Sequence, residues 1–244
     1  MVQQRDLINA AGWRPHVRCS HSAFLAQGGI LNPRRSIFLG ALDVLGALPL
    51  FTTAPLYRRW HLRWGATDEE LRLAMPGDDL VPLPSFNATR AITISAPPER
   101  VWPWIVQMGY RRAGFYTYDL LDNAGIDSAT SVLDEFQNPR LGDWMPMASI
   151  VNETTASRFT AFEANHWLLW SKPDSTWAWR LSPGAPGRTR LVSRLKQRYP
   201  WETPGMAIVT LVLLEFGDFP MIRRVLAGIK NRAERMDAAS GRGL

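Results

Sequence analysis

The spacing of apolar and polar residues changes period several times along the chain, and each change marks an element. Ile37 to Leu56, IFLGALDVLGALPLFTTAPL, is apolar at most positions and has the length to cross a bilayer as a helix. Thr67-Asp-Glu-Glu70 predicts a short helix, with Thr67 as cap and Glu70 closing a capping box. Met75-Pro-Gly-Asp78 ends it, and Val81-Pro-Leu-Pro84 reads as an extended linker. Thr89 to Ser95 alternates and predicts a strand. Pro98 opens a helix in which Val101, Trp102, Ile105 and Met108 share a face. Pro103 lies early enough to kink that helix rather than break it, and Gly109 closes it. A second short helix is expected from Phe115 to Leu121.

Strands are expected next at 142–147, where Pro146 argues for an edge, and more weakly at 149–155. Stronger ones follow at 159–170, 175–181 and 188–199. Turn residues at 172–174 and 183–187 join the later ones as hairpins, so the sheet is an antiparallel meander. Thr203 to Met236 predicts a long closing helix with Pro204 in its first turn. It is apolar at nearly every position from Met206 to Leu214, which predicts burial all round, and Gly217 and Pro220 should bend or break it. The fold class is α+β.

Strand alternation also separates two faces. Arg188, Arg190, Val192, Arg194, Lys196 and Arg198 share one face of the last strand, whose charge predicts exposure to water. Thr189, Leu191, Ser193, Leu195, Gln197 and Tyr199 then point inward. The polar members of that inner face need partners, supplied either by a ligand in a cavity or by one another in a packed interior. Trp177 and Trp179 also point inward, as a flat wall for a ligand or as plain core. Trp104, Gln107, Tyr116, Tyr118 and Asp119 bring polar groups to an aromatic cluster; Asp119 reads equally as a helix cap. Glu215, Asp218 and Met221 complete the expected pocket from the last helix. Glu215 and Asp218 read either as raised-pKa acids or as members of structural ion pairs.

Charge changes the picture only at one end. The formal net charge is +6. Residues 1–64 contain eight arginines and two aspartates, which accounts for all of it; the remainder is neutral. A basic excess beside an apolar stretch points to a membrane surface, reached through residues 34–63, and away from nucleic acid. Asp43 interrupts the apolar stretch at a cost of about 2.5–3.5 kcal/mol near a helix centre, and Pro49 and Pro55 weaken it further. The stretch therefore reads as a membrane anchor or interfacial helix, or as a soluble helix packed on the domain or on another copy. Arg34-Arg35-Ser36 followed by Ile-Phe-Leu has the wrong spacing for a twin-arginine export signal. One cysteine, Cys19, rules out an internal disulfide, and four scattered histidines have no metal-ligand spacing. No cofactor, metal, catalytic triad or phosphate loop is expected.

The run TRAITISAPPERVWPWIVQMGYRRAGFYTYDLLDN at 89–123 resembles the opening of bacterial SRPBCC proteins, members of the START-like or polyketide cyclase/dehydrase superfamily. WGATDEE at 64–70, FQNPRLGD at 136–143, the pair Trp177/Trp179, RTRLVSR at 188–194 and GIKNRAE at 228–234 extend the resemblance over nearly everything after Trp60. It implies a helix-grip fold, in which a curved antiparallel sheet wraps a long C-terminal helix, and a cavity for a lipid, sterol or polyketide-like molecule. It carries no catalytic motif, since the superfamily includes carriers, cyclases and plain binders. An apolar segment before WGAT is also usual there and favours an anchor. The expected division is an irregular segment at 1–36, the apolar helix at 37–60, and a short helix with linker at 61–88. The helix-grip domain follows at 89–237, with a tail at 238–244. The expected function is binding or carriage of an apolar small molecule, with a cyclase/dehydratase or a membrane-anchored lipid-presenting protein as alternatives. The expected location is cytoplasmic, with Ile37–Leu56 as the contact to a membrane.

Overall fold

The computed structural model describes residues 33–240. The expected irregular segment up to residue 32 and the last four residues of the tail lie outside them, as does Cys19. The helices are α1 (Pro33–Thr53), α2 (Arg58–His61), α3 (Asp68–Arg72), α4 (Pro98–Val106), α5 (Asp119–Asp122), α6 (Pro204–Val212) and α7 (Asp218–Ser240). The strands are β1 (Phe86–Ile94), β2 (Trp144–Pro146), β3 (Ala156–Glu163), β4 (Trp167–Lys172), β5 (Ser175–Pro183) and β6 (Thr189–Gln197). They form one antiparallel sheet in the order β1-β6-β5-β4-β3-β2. Helices α4 and α7 pack together, and α7 also packs on β1. This is the helix-grip arrangement.

Its core joins three surfaces. The sheet supplies Phe159, Leu168, Trp170, Trp179 and Leu191; α4 supplies Val101, Trp104 and Ile105; α7 supplies Val225, Leu226, Ile229 and Ala233. All are buried. Pro146 sits on edge strand β2, where a missing N–H leaves no ladder gap.

Several elements differ from the expectation. The stretch 159–170 is not one strand but parts of β3 and β4, reversed at Asn165, which holds φ at 65°. Asparagine tolerates that left-handed turn better than most residues, and polar Glu163 and His166 flank it. No strand forms at 149–155. Instead the Asn152 side chain accepts from the backbone N–H groups of Thr154 and Thr155 and makes a local turn. The expected helix at 115–121 shrinks to α5, because Tyr116 takes φ 62°. The closing helix does not break at Gly217 or Pro220. A π turn over Leu213–Gly217 precedes Pro220, and its wider winding accommodates the missing N–H, so α6 and α7 run on as one rod.

The larger difference concerns the charged face of β6. Val192 and Arg194 on it are buried rather than exposed to water. Residues 62–80 lie across it as a strap. The strap begins along the outer edge of β1, where Thr89 N–H donates to the Leu62 carbonyl at 2.8 Å and Ala91 N–H to the Trp64 carbonyl at 3.2 Å. At Gly65 (φ 73°) a Cβ would stand 2.1 Å from the Ala91 carbonyl oxygen, so only glycine permits this approach. The predicted capping box then starts α3: Thr67 Oγ1 accepts from Glu70 N–H and Glu70 Oε2 accepts from Thr67 N–H.

Below α3 the basic side chains of β6 meet strap acceptors. Arg190 donates to both carboxylate oxygens of Glu70, at 2.7 and 2.8 Å, which draws the Glu70 pKa below its ordinary value. Arg194 donates to Asp78, to the carbonyls of Leu73, Glu70 and Leu71, and to Thr89 Oγ1. Lys196 pairs with Asp78 at 2.9 Å. Met75 seals the strap onto Ala91, Leu169, Ala178 and Val192. The outer face is therefore covered where β1, β6, β5 and β4 meet the strap.

Candidate functional site

The expected pocket residues fall into four groups, of which those around Trp179 and around Trp104 and Tyr116 meet in one buried cluster. Trp177, Trp179 and Ser193 lie in the sheet's inner layer. Trp177 Nε1 donates to Ser193 Oγ at 2.9 Å, and the two indole centroids stand 5.1 Å apart. Trp170 packs edge-on against both, and Trp170 and Trp179 are fully buried. Thr189 donates to the Ala96 carbonyl and Gln197 to the Arg198 carbonyl. Thr189, Ser193 and Gln197 thus each bond within the protein, while the buried Nε1 groups of Trp170 and Trp179 have no hydrogen-bond partner. Gln197 lies at the far end of β6 from Thr189.

Glu215 and Asp218 form the second place, at the junction of the π turn with α7. Arg58 donates to Glu215 at 2.6 Å and Tyr199 OH at 2.9 Å. Asp218 lies 2.6 Å from an Arg90 Nη2 that approaches off the N–H direction, which makes an ion pair rather than a hydrogen bond. Arg90 is itself held by the His61 carbonyl at 2.7 Å. Both carboxylates are thus members of ion pairs. Met221 is half-buried on α7.

Third is the α5 region. Asp119 accepts from Ser128 N–H at 2.9 Å and from Ser128 Oγ at 2.5 Å, fastening the loop after α5. Burial raises its pKa. Tyr118 packs on Phe51 of α1 and carries the Arg224 guanidinium over its ring at 4.0 Å. With Ile37, Gly40 and Asp43 of α1, these two residues line a cleft of about 330 Å³.

Asp122 was not singled out in the sequence. Both its carboxylate oxygens are buried without a hydrogen-bond partner, and burial, with repulsion from Asp119 added, pushes its pKa up to about 7. The folded state therefore holds a proton between about pH 4 and 7 that the unfolded chain has released, so stability falls as pH rises through that window. We expect D122N to flatten that slope and to stabilise the fold at pH 8 by on the order of 2–3 kcal/mol, allowing for solvent near the group. Urea titrations of both proteins at pH 5 and pH 8 check this. An equal slope in the two would place the titration elsewhere.

The fourth place joins Trp104, Gln107 and Tyr116. Gln107 is fully buried; its amide donates to Tyr116 OH at 3.0 Å and accepts from Leu133 N–H at 3.0 Å and from Gln137 at 3.2 Å. Tyr116 OH donates to the Trp104 carbonyl at 2.9 Å. Gly228 allows α7 to lie against Tyr116, since a Cβ there would stand 2.5 Å from the tyrosine Cβ. Arg232 stacks over the Tyr116 ring at 4.3 Å. Beside this group a cleft of about 500 Å³ opens between Trp104, residues 130–132 and the last turns of α7. Arg232 and Arg235 in its wall were not among the residues that the sequence pointed to as pocket lining.

The surface of the helices carries a different feature. The segment Met206–Leu214, expected to be buried all round, is largely open: Met206, Ile208, Val209, Val212 and Leu213 are exposed, and Ala207 is the buried residue of α6. On α1, Ile37, Phe38, Leu39, Leu42, Leu45 and Leu48 are exposed. Two helical segments, Ile37–His61 and Pro204–Ala238, are long and apolar enough to cross a bilayer, and only 11% and 22% of their apolar windows are buried. They are neighbours, since α1 packs on the π turn and on α7. Asp43, the charge that interrupts α1, faces the protein: both its oxygens accept from Arg224, at 2.5 and 2.6 Å. Trp60 and Trp201, near the ends of the two apolar stretches, are also exposed.

Among the described residues no cluster of three or more His, Cys, Asp or Glu is placed to hold a metal. No family model matches the chain, and no curated protein matches it. Solved structures that it resembles include a Polyketide_cyc-like protein from Corynebacterium glutamicum, at 17% identity over 62% of this chain and 92% of that one, with a TM-score of 0.40. Protein MLL2253 from Mesorhizobium loti matches at 16% identity over 62% and 98% of the two chains, TM-score 0.36. CalU16 from Micromonospora echinospora matches at 16% over 63% and 86%, TM-score 0.29. The helix-grip architecture stands on this chain's own strand order and helix placement.

Proposed function

We propose that this protein works at a membrane surface as a non-enzymatic binder that carries or presents a lipid-like molecule. The observation that carries this reading is that α1 and α6, both of which contact the π turn, expose large apolar side chains. Water-exposed leucine, isoleucine and valine at this density mark an interaction surface. The Asp43–Arg224 pair ties α1 along the domain, which suits a helix lying in the interface rather than one crossing it. Exposed Trp60 and Trp201 have the amphipathic rings favoured at headgroup depth, and exposed Arg59 suits an anionic leaflet. The groups a cyclase would need as acids or bases have other roles: Glu215 and Asp218 sit in ion pairs, Tyr116 holds the Trp104 carbonyl, and Asp119 holds Ser128.

Flotation with vesicles of phosphatidylcholine and phosphatidylglycerol tests the reading. We expect the full chain to float and the variant L42S/L45S/L48S to lose at least roughly tenfold in partitioning, since each leucine removed from lipid forfeits about 1–2 kcal/mol. Equal flotation of the two proteins, or none by the natural chain, rejects it.

A further inference from the structure

The cleft beside Trp104 lies well along α7 from the apolar helices. Arg235 stands eleven residues beyond Arg224, the anchor of α1, or about 16 Å at helical rise. Its α7 wall is Asn231, Arg232, Arg235 and Met236, four positions that recur on one helical face. Thr130, Ser131 and Val132 form the opposite wall. Among the described residues no acidic side chain lines it. Its volume of about 500 Å³ lies in the range of small-molecule sites.

Three details make this a constructed cleft rather than a chance gap between loops. Arg232 is fixed: Nε donates to the Ala129 carbonyl at 2.8 Å, Nη1 to the Gly228 carbonyl at 3.3 Å, and its plane rests on the Tyr116 ring. Tyr116 holds a left-handed backbone (φ 62°) that an aromatic residue rarely adopts, and it does so directly beneath that guanidinium. Trp104 is 2% exposed, so its packed indole gives the cleft a fixed apolar floor.

The geometry points to a binding site for an amphiphilic organic anion, with its anionic group between Arg235 and Arg232 and its apolar body against Trp104, Val132 and Met236. Arg235 is exposed and offers a planar fork of N–H donors suited to a carboxylate. Thr130 and Ser131 add hydroxyls on the facing wall. Tyr116 is a positioning residue that sets the Arg232 plane. This assignment deepens the carriage reading by naming its ligand class, and rests on that reading for its purpose but not for its geometry.

Calorimetric titration of the full chain with sodium dodecanoate, below its micelle-forming concentration, tests it. 1-Dodecanol and sodium acetate serve as partial probes. Dodecanoate should bind at least roughly tenfold more tightly than either, and R235E should weaken it by roughly tenfold or more while vesicle flotation stays unchanged. Absent dodecanoate binding, equal binding of dodecanol, equal binding of acetate, or an unaffected R235E each overturns the site. If L42S/L45S/L48S rather than R235E loses dodecanoate, the amphiphile sits on the apolar helices and the cleft assignment fails while docking stands. If flotation fails but binding sensitive to R235E persists, the membrane reading fails and the site stands.

Discussion

Replacing Arg194 by methionine is expected to destabilise the protein by about 3–5 kcal/mol and to loosen residues 62–80 from the sheet. Arg194 is buried, and its guanidinium is the shared donor for Asp78, for the carbonyls of Glu70, Leu71 and Leu73, and for Thr89. Methionine fills much of the same volume but donates nothing. Three backbone carbonyls and one carboxylate then lose a charged donor, and each buried acceptor left unmade costs about 1–3 kcal/mol before relaxation. Water entering beneath the strap limits the sum. Urea unfolding gives the total, and amide exchange locates it: N–H groups of α3 and of Thr89 and Ala91 should exchange faster than those of β4 and β5. A uniform rise in exchange, or a loss below 1 kcal/mol, would mean the strap is held by Met75 and its apolar neighbours instead.

The second large effect is expected at the Arg90–Asp218 pair. Both side chains are almost out of solvent, at 2% and 9% exposure, and His61 lies fully buried beside them. R90M leaves Asp218 as a buried carboxylate without a counter-charge and should cost about 3–5 kcal/mol. Removing both charges is different. R90M/D218L should recover at least half of that loss, because two desolvated charges are replaced by apolar groups of similar size. The result would be read as a double-mutant cycle in chemical denaturation. If the double variant is as unstable as the sum of the single ones, the pair contributes by shape and by the Arg90 bond to the His61 carbonyl, not by charge.

The two expectations share a cause that the sequence hides. Strand alternation in Arg188–Arg198 reported truthfully that one face is charged and the other mixed. It did not report that Glu70 and Asp78, more than a hundred positions earlier, would lie over the charged face. A charged strand face is exposed only when no complementary segment can reach it. The same limit applies to α6. Uniform apolarity from Met206 to Leu214 implies an apolar neighbour, but not whether that neighbour is protein or lipid.

Candidate site residues were legible in type more than in grouping. Trp104, Gln107 and Tyr116 do come together, but Gln107 and Tyr116 support the cleft from behind while Arg232 and Arg235 supply its charge. Glu215 and Asp218 are two of the acidic groups suggested by sequence, and they face Arg58 and Arg90. Asp122, whose carboxyl pKa burial pushes up to about 7, gave no sequence signal, because its burial depends on how α5 packs.

The sequence by itself determined the α+β class, the capping box at Thr67, the edge position of Pro146, and the antiparallel meander closed by a long helix. Each of these follows from local periodicity and turn chemistry, which act over a few residues. Only the tertiary structure decided that the strap covers the charged face of β6, that Asp43 turns toward Arg224, and that α1 and α6 keep their apolar sides open. Those outcomes depend on which distant segments meet, and a pattern of alternating residues states that two faces differ without stating what each face will touch.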